Sequence, residues 1–233
     1  MLIMQFTIFT DGSSRGNPGP GGWGAIMIGD DKVIELGGRD RLTTNNRMEL
    51  MAAIEALKKI KEGSEVVIYT DSSYLINGIT KWVKGWKRTG WVTRTKDDVL
   101  NKDLWIALDS LALERNIIWE YVGGHVGIAG NERCDRIATG FADGDKIELY
   151  KGPLAGYPVA NILDIKKAAL KIETKSRRDA KAYSYVSAIK GIIEIHHSWA
   201  ECEKIVKGVK GARYKKSLNA EDEERIIAEF EAL

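Results

Sequence analysis

The chain has 233 residues, with 35 Lys and Arg set against 33 Asp and Glu for a formal net charge of +2. A hydrophobic fraction of 44% and a charged fraction of 29% exclude wholesale disorder, and no apolar run approaches the ~20 residues of a membrane-spanning helix. Two distant cysteines, Cys134 and Cys202, exclude a disulfide framework, and with the segment Met1 to Phe6 too short and uncharged to read as a signal peptide, none is expected and a reducing cytoplasm is.

The first 150 residues alternate strands and helices. Phe6 to Thr10 reads as a strand ending at the turn signal Asp11-Gly12. Trp23 to Ile28 and Val33 to Leu36 give two more, joined through Gly29-Asp30-Asp31. From Arg47 to Ile60 the period is helical, with Ala53, Leu57 and Ile60 on one face. Glu65 to Thr70 is a short β-branched strand, followed by a helix over Ser72 to Thr80. A basic, Trp-rich stretch comes next, then a helix from about Val99 to Glu114, a fifth strand at Ile117 to Val122 and a helix over Ala129 to Phe141. Three consecutive strands followed by strand–helix alternation predict an α/β fold, a five-stranded mixed sheet flanked by helices.

Beyond Phe141 the character changes, because Gly144, Gly152, Pro153, Gly156 and Pro158 crowd together. Residues 1–145 are therefore expected as one domain, 146–181 as a Lys-rich linker, and 182–233 as a small α+β unit. That unit reads as strands at Tyr183 to Ile189 and Ile192 to His196, then a helix announced by the capping box Ser198-Trp199-Ala200-Glu201. Asn219, followed by Glu221, Asp222 and Glu223, caps a last helix.

The small net charge conceals local asymmetry. Lys81 to Lys102 holds seven basic residues against two acidic, and Glu203 to Lys216 six against one. Glu221 to Glu231 reverses this, with six acidic residues and one Arg.

Four carboxylates draw attention. Asp11 and Asp71 each follow a predicted strand, and in a sheet with a parallel pair those strand ends lie side by side. Glu49 shares a helix face with Ala53 and Leu57, which must pack on the sheet. Asp135 lies on the last helix of this region, ten residues after His125. Singly, each has a plain structural role: an Asx turn for Asp11, a helix cap for Asp71, a capping box with Asn46 for Glu49, a surface charge for Asp135. Converging carboxylates repel unless hard divalent cations neutralise them. Two Mg²⁺ ions about 4 Å apart could then activate water against a phosphodiester.

The segments carrying these residues resemble type 1 ribonuclease H, of the bacterial kind. They are TDGSSRGNPGPGGWGA from Thr10 to Ala25, TNNRME from Thr44 to Glu49, YTDS from Tyr69 to Ser72, and GHVGIAGNERCD from Gly124 to Asp135. The resemblance covers residues 5 to about 142. It implies an RNase H-like fold and an endonuclease that hydrolyses the RNA strand of RNA–DNA hybrids, leaving 5′-phosphate and 3′-hydroxyl ends. It implies Asp11, Glu49, Asp71 and Asp135 as ligands of two Mg²⁺ ions, with Mn²⁺ able to substitute. His125 would assist proton transfer or product release; its setting between Gly123-Gly124 and Gly127 suits a loop and not a core element.

The resemblance also implies substrate contacts. Asn17, Asn45 and Asn46 would meet the hybrid, where the 2′-OH distinguishes RNA from DNA. Thr44 and Asn101 would hold a DNA phosphate. Lys84, Lys87 and Arg88 would neutralise phosphates while Trp82 and Trp86 rest on sugars, although tryptophans four apart can equally be core. Residues from Ser198 to Lys216 look like the small hybrid-binding domain that relatives carry at the N-terminus. Trp199, Arg213, Tyr214, Lys215 and Lys216 would stack on sugars and grip phosphates of a hybrid or of dsRNA.

The competing reading is a catalytically silent hybrid- or dsRNA-binding protein, which four intact carboxylates oppose. Another nuclease of the same superfold, an integrase or resolvase, is opposed by the Gly-rich segment and the basic stretch. No membrane contact and no obligate protein partner is expected.

Overall fold

The structure, a computed structural model, describes residues 4–93, 95–122, 128–165 and 181–232. The chain divides into two compact units: Met1–Ile76 with Asp103–Leu170, and Asn77–Lys102 with Lys171–Leu233. Among the described residues no helix is long and apolar enough to cross a membrane.

The first unit is built on β1 (Gln5–Ser14), β2 (Gly19–Gly29), β3 (Lys32–Thr43), β4 (Glu65–Thr70), β5 (Asn116–Tyr121) and β6 (Lys151–Pro153), in the spatial order β5-β4-β1-β2-β3-β6. β1 runs parallel to β4 and β4 parallel to β5, while β1–β2, β2–β3 and β3–β6 are antiparallel. The sheet thus has six strands where five were expected. The additional one comes from the stretch expected as linker: Lys151, Gly152 and Pro153 pair with Ile34, Val33 and Lys32.

Helix α1 (Asn45–Leu57) covers the sheet with Met48, Leu50, Ala53, Ile54 and Leu57 buried, and β1 contributes Ile8 and Phe9 to the core. On α5 (Ala129–Asp143), Cys134, Ile137 and Ala138 are buried. Its close seating explains the Gly-rich segment, where β2 begins at Gly19, four residues before the expected strand start at Trp23. A Cβ at Gly22 would lie 2.3 Å from the Ala138 carbonyl oxygen, so only glycine lets the helix approach this closely.

β1 also continues past the expected turn at Asp11-Gly12, because Asp11 and Gly12 stay in register with Gly24 and Trp23. The helix expected over Ser72 to Thr80 is instead α2 (Ser73–Asn77), a π-helical turn (Gly78–Trp82) and α3 (Val83–Thr89). Gly90, at φ 74°, closes α3 in the left-handed region. Then α4 (Lys102–Leu113) leads into β5.

In the second unit, β7 (Ser184–Ile189) lies between β8 (Ile192–His196) and β9 (Arg213–Ser217). Lys190 and Gly191, both at positive φ, form the two-residue turn of the β7–β8 hairpin. α6 (Trp199–Val206) carries the expected Ser198–Glu201 capping box. α7 (Ala220–Glu231) is capped by Asn219 and packs Ile226 and Phe230 with Val186 of β7. β9 was not expected as a strand, because its Arg213-Tyr214-Lys215-Lys216 run has no apolar alternation to read.

Candidate active site and nucleic-acid surfaces

Parallel pairing of β1 with β4 puts Thr10 opposite Thr70, so the next residues, Asp11 still within β1 and Asp71 just beyond β4, come side by side at the same edge. Glu49 joins them from the first turns of α1, whose start is set by Thr44: its hydroxyl accepts the Arg47 N–H at 3.3 Å. One carboxylate oxygen from each of Asp11, Glu49 and Asp71 lies within 4.8 Å of the other two. Asp11 is 7% exposed and Glu49 3%. Gly12 permits the arrangement, since a Cβ there would lie 2.2 Å from the Glu49 backbone nitrogen.

The three carboxylates are individually steered. Asp11 Oδ1 accepts from the Gly12 N–H at 2.7 Å, Glu49 Oε1 from Asn45 Nδ2 at 3.2 Å, and Asp71 Oδ2 from Asn131 Nδ2 at 3.0 Å. Two buried anions and a third beside them form a hard, all-oxygen donor set. Divalent cations such as Mg²⁺ take this set, and it removes the mutual repulsion. The donor chemistry therefore fits the expected metal site. Behind it the Cys134 thiol is fully buried, and burial, followed by the Asp11 charge, pushes its pKa well up. It is an inert core residue.

Of the four expected carboxylates, three come together. Asp135 sits half-buried on α5 and lies outside that 4.8 Å group. His125 lies outside the described residues.

The expected substrate contacts divide by exposure. Asn17, Lys84, Lys87 and Arg88 are exposed, and Thr44, Asn45 and Asn101 are half-buried. Asn46 is fully buried at the base of α1. Trp82 and Trp86 are buried, at 7% and 1% exposure. They pack in the second unit with ring centroids 5.8 Å apart, and Trp91, half-buried and 6.3 Å from Trp86, is the ring that retains surface. The i, i+4 spacing was compatible with both outcomes, and core packing prevails.

In the C-terminal part, Trp199 (38% exposed) and Tyr214 (50%) lie 5.1 Å apart, with Tyr185 5.5 Å from Trp199. Strand alternation puts Lys216 on the Tyr214 side and Arg213 and Lys215 on the other. Lys215 accordingly pairs with Glu229 of α7. The aromatic surface is therefore Tyr185, Trp199 and Tyr214 with Lys216, and Lys215 does not belong to it. Tyr185 was not singled out from sequence; its place opposite Lys216 in the β7–β9 register appears only with β9. Asn131 was likewise missed, though it lies four residues before Asp135 on the same helix.

Residues 4–142, more than half the chain, match the RNase H family profile, and residues 191–222 match that of the Ribonuclease H1 N-terminal domain. The curated Ribonuclease H of Cyanothece sp. is 53% identical over 145 residues, which are 61% of this chain and 92% of that protein. The Ribonuclease H of Mesorhizobium japonicum is 44% identical over 183 residues, 78% of this chain and all of that protein. Among solved structures, LC9-RNase H1, a type 1 RNase H with the type 2 active-site motif, superposes with a TM-score of 0.58 at 29% identity, covering 66% of this chain and 81% of that one. Matched over residues 4–142 and carrying three converging carboxylates at one sheet edge, the chain belongs to the ribonuclease H family.

Proposed function

We propose that this chain hydrolyses the RNA strand of RNA–DNA hybrids, using two Mg²⁺ ions and leaving 5′-phosphate and 3′-hydroxyl ends. The observation that carries the reading is the Asp11–Glu49–Asp71 group at the edge shared by β1 and β4. Divalent ions bound there would supply an activated water and stabilise the leaving oxygen.

The protein's part is to hold those oxygens in place. Gly12 N–H, Asn45 and Asn131 fix the three carboxylates by hydrogen bonds, so little reorganisation is needed when substrate arrives. Asp135 completes the ligand set from α5, and His125 serves the departing product. Asn17, Thr44, Asn45 and Asn101 contact the duplex, and Lys84, Lys87 and Arg88 neutralise phosphates of the DNA strand.

Residues 182–233 supply a further duplex-binding surface. Its exposed Trp199 and Tyr214 rings beside Lys216 support sugar stacking with phosphate contact. The same surface suits dsRNA, because both duplexes expose 2′-hydroxyls in a shallow minor groove.

Strand-labelled hybrid, dsRNA and dsDNA incubated with Mg²⁺ test the reading. Cleavage confined to the RNA strand of the hybrid, with 5′-phosphate ends, supports it. No cleavage by the wild-type protein, or unimpaired cleavage by Asp71→Asn, refutes it.

A further inference from the structure

Glu35 lies on β3, buried at 4% exposure. Four donors converge on its two oxygens. Arg133 Nε and Nη2 each donate at 2.8 Å, the Tyr157 hydroxyl at 2.6 Å and the Tyr150 N–H at 2.9 Å. Burial alone would push this carboxyl up, but the bonds from Arg133, Tyr157 and Tyr150 outweigh it and hold it below its usual value. It is therefore a permanent anion with its acceptor sites filled, and the Arg133 fork is directional as well as charged.

Three elements meet at this carboxylate. Arg133 is on α5, two residues before Asp135. Tyr150 and Tyr157 come from the stretch beyond α5, which lies outside the family-matched residues 4–142. That stretch is fastened by β6, by the Leu154 N–H donating to the Asp31 carbonyl at 2.7 Å, and by the Glu35 N–H donating to the Tyr150 carbonyl at 2.8 Å. Tyr157 and Ile162 then pack with Phe9, Val122, Ile128 and Cys134. Phe9 lies two residues before Asp11, and Ile128 stands at the N-cap of α5.

The seating of α5 shows why such a fastening matters. Glycine on β2 lets the helix lie close to the sheet, yet a floor of glycine offers few side chains to fix where along its axis the helix stops. The Arg15–Asp143 pair at the far end of α5 is about half exposed on both sides and contributes little. The Glu35–Arg133 fork, bidentate on a buried carboxylate, is a directional restraint two residues from Asp135 that anchors α5 to β3, in addition to the Asn131–Asp71 bond at the site itself.

We propose that Glu35, Arg133 and Tyr157 are positioning residues that set the register of α5 and thereby the reach of the Asp135 carboxylate toward the Asp11–Glu49–Asp71 group. Residues 150–165 are then a strap that tunes the metal site and not part of a linker. The proposal rests on the reading of Asp135 as a ligand, and the test separates the two.

Metal binding is measured by calorimetric titration of Mn²⁺ into the full chain without nucleic acid, for wild type, Asp135→Asn, Tyr157→Phe, Glu35→Gln and the Tyr157→Phe/Asp135→Asn double variant. Tyr157→Phe keeps the ring and its packing, so it serves where Glu35→Gln fails to fold. Partners that orient a ligand typically change metal affinity about tenfold or more. Tyr157→Phe should weaken Mn²⁺ binding by about that factor and raise the Mg²⁺ needed for half-maximal cleavage, with KM for hybrid unchanged. In the Asp135→Asn background the same substitution should have no further effect on Mn²⁺ affinity. If Asp135→Asn binds Mn²⁺ like wild type, the ligand reading fails and takes the proposal with it. If Asp135→Asn weakens binding but Tyr157→Phe does not, or if the two effects simply add, the proposal fails and the ligand reading stands.

Discussion

Replacing Asp11 with Asn should make the metal-free protein more stable while removing its response to metal. Ligand oxygens of Asp11, Glu49 and Asp71 lie within 4.8 Å of one another. At that separation two unit charges in a medium of effective dielectric 20 repel by about 3 kcal/mol. Asp11 takes part in two of the three pairs, about 7 kcal/mol before any relaxation. Proton uptake and water around the half-buried Asp71 lower this to an expected gain of about 1–3 kcal/mol. Asn retains the Oδ1 that accepts the Gly12 N–H, so the substitution removes charge without removing that hydrogen bond.

For a chain of this size the gain corresponds to a rise in Tm of about 3–9 °C. The assay is thermal unfolding of wild type and Asp11→Asn, each in chelator and in excess Mg²⁺. Wild type should gain stability on adding Mg²⁺, because an ion bound only by the folded state stabilises it by mass action. Asp11→Asn should start higher and gain less. A variant that melts at or below wild type in chelator would show that the three carboxylates do not repel one another in the folded protein, and the electrostatic argument for the site would fall.

Three further outcomes follow from burial and strand register. Trp86→Ala should cost about 3–5 kcal/mol, a core deletion, whereas Trp91→Ala should leave urea unfolding nearly unchanged and weaken hybrid binding in a filter assay. Lys216→Ala should lower the log–log salt slope of hybrid affinity by about 0.9, the value for one phosphate contact borrowed from B-DNA. Lys215→Ala should leave that slope as it is, and equal slopes for the two would refute the assigned faces of β9. Glu231 of α7 accepts from the Leu100 N–H at 3.4 Å. Burial, together with the nearby Asp97 charge and despite the Leu100 bond, raises its carboxyl to about 7. Its folded value lies above its unfolded one near 4.5, so its contribution to folding stability is complete below about pH 4.5 and is lost as pH rises through 7, when burial of the charge outweighs the Leu100 bond that favours it. Hydrogen-exchange protection of the Leu100 amide, corrected for intrinsic rate, should fall between pH 5 and pH 8 in wild type and stay flat in Glu231→Gln.

The parts of the site readable from sequence are those governed by local rules. Asp11 and Asp71 each follow a short apolar strand segment, and parallel pairing of those segments sets the two side by side whatever the rest of the chain does. Glu49 lies on the face of α1 that must be buried, so its direction follows from helical period alone. The same logic found the Ser198–Glu201 capping box and the Asn219 cap. Where two outcomes satisfy one local rule, sequence reading stops: Trp82 and Trp86 share a helical face, and whether that face meets solvent or core depends on what packs there. β9 escaped because its polar run carries no period.

Asp135 shows why the remaining geometry was not legible. Its place on a helix follows from pattern, but its distance from the other carboxylates depends on where α5 comes to rest. Arg133 meets Glu35 across 98 residues of sequence, and Tyr157 meets it across 122. No window-based period connects such positions, and an isolated Glu in a β-strand reads as a solvent-facing residue. Only the pairing of β2 with β3, which aligns Glu35 with Ile26, and the return of the chain through β6 bring the partners together. Once they meet, burial excludes water from the charges, and the filled hydrogen-bonding of the carboxylate makes the arrangement costly to break. A rule for finding such residues follows from the physics: a charged residue in a strand that is otherwise apolar, as in Val33-Ile34-Glu35-Leu36, needs a buried partner somewhere in the chain, and an Arg on a helix that must lie on that sheet is the first place to look.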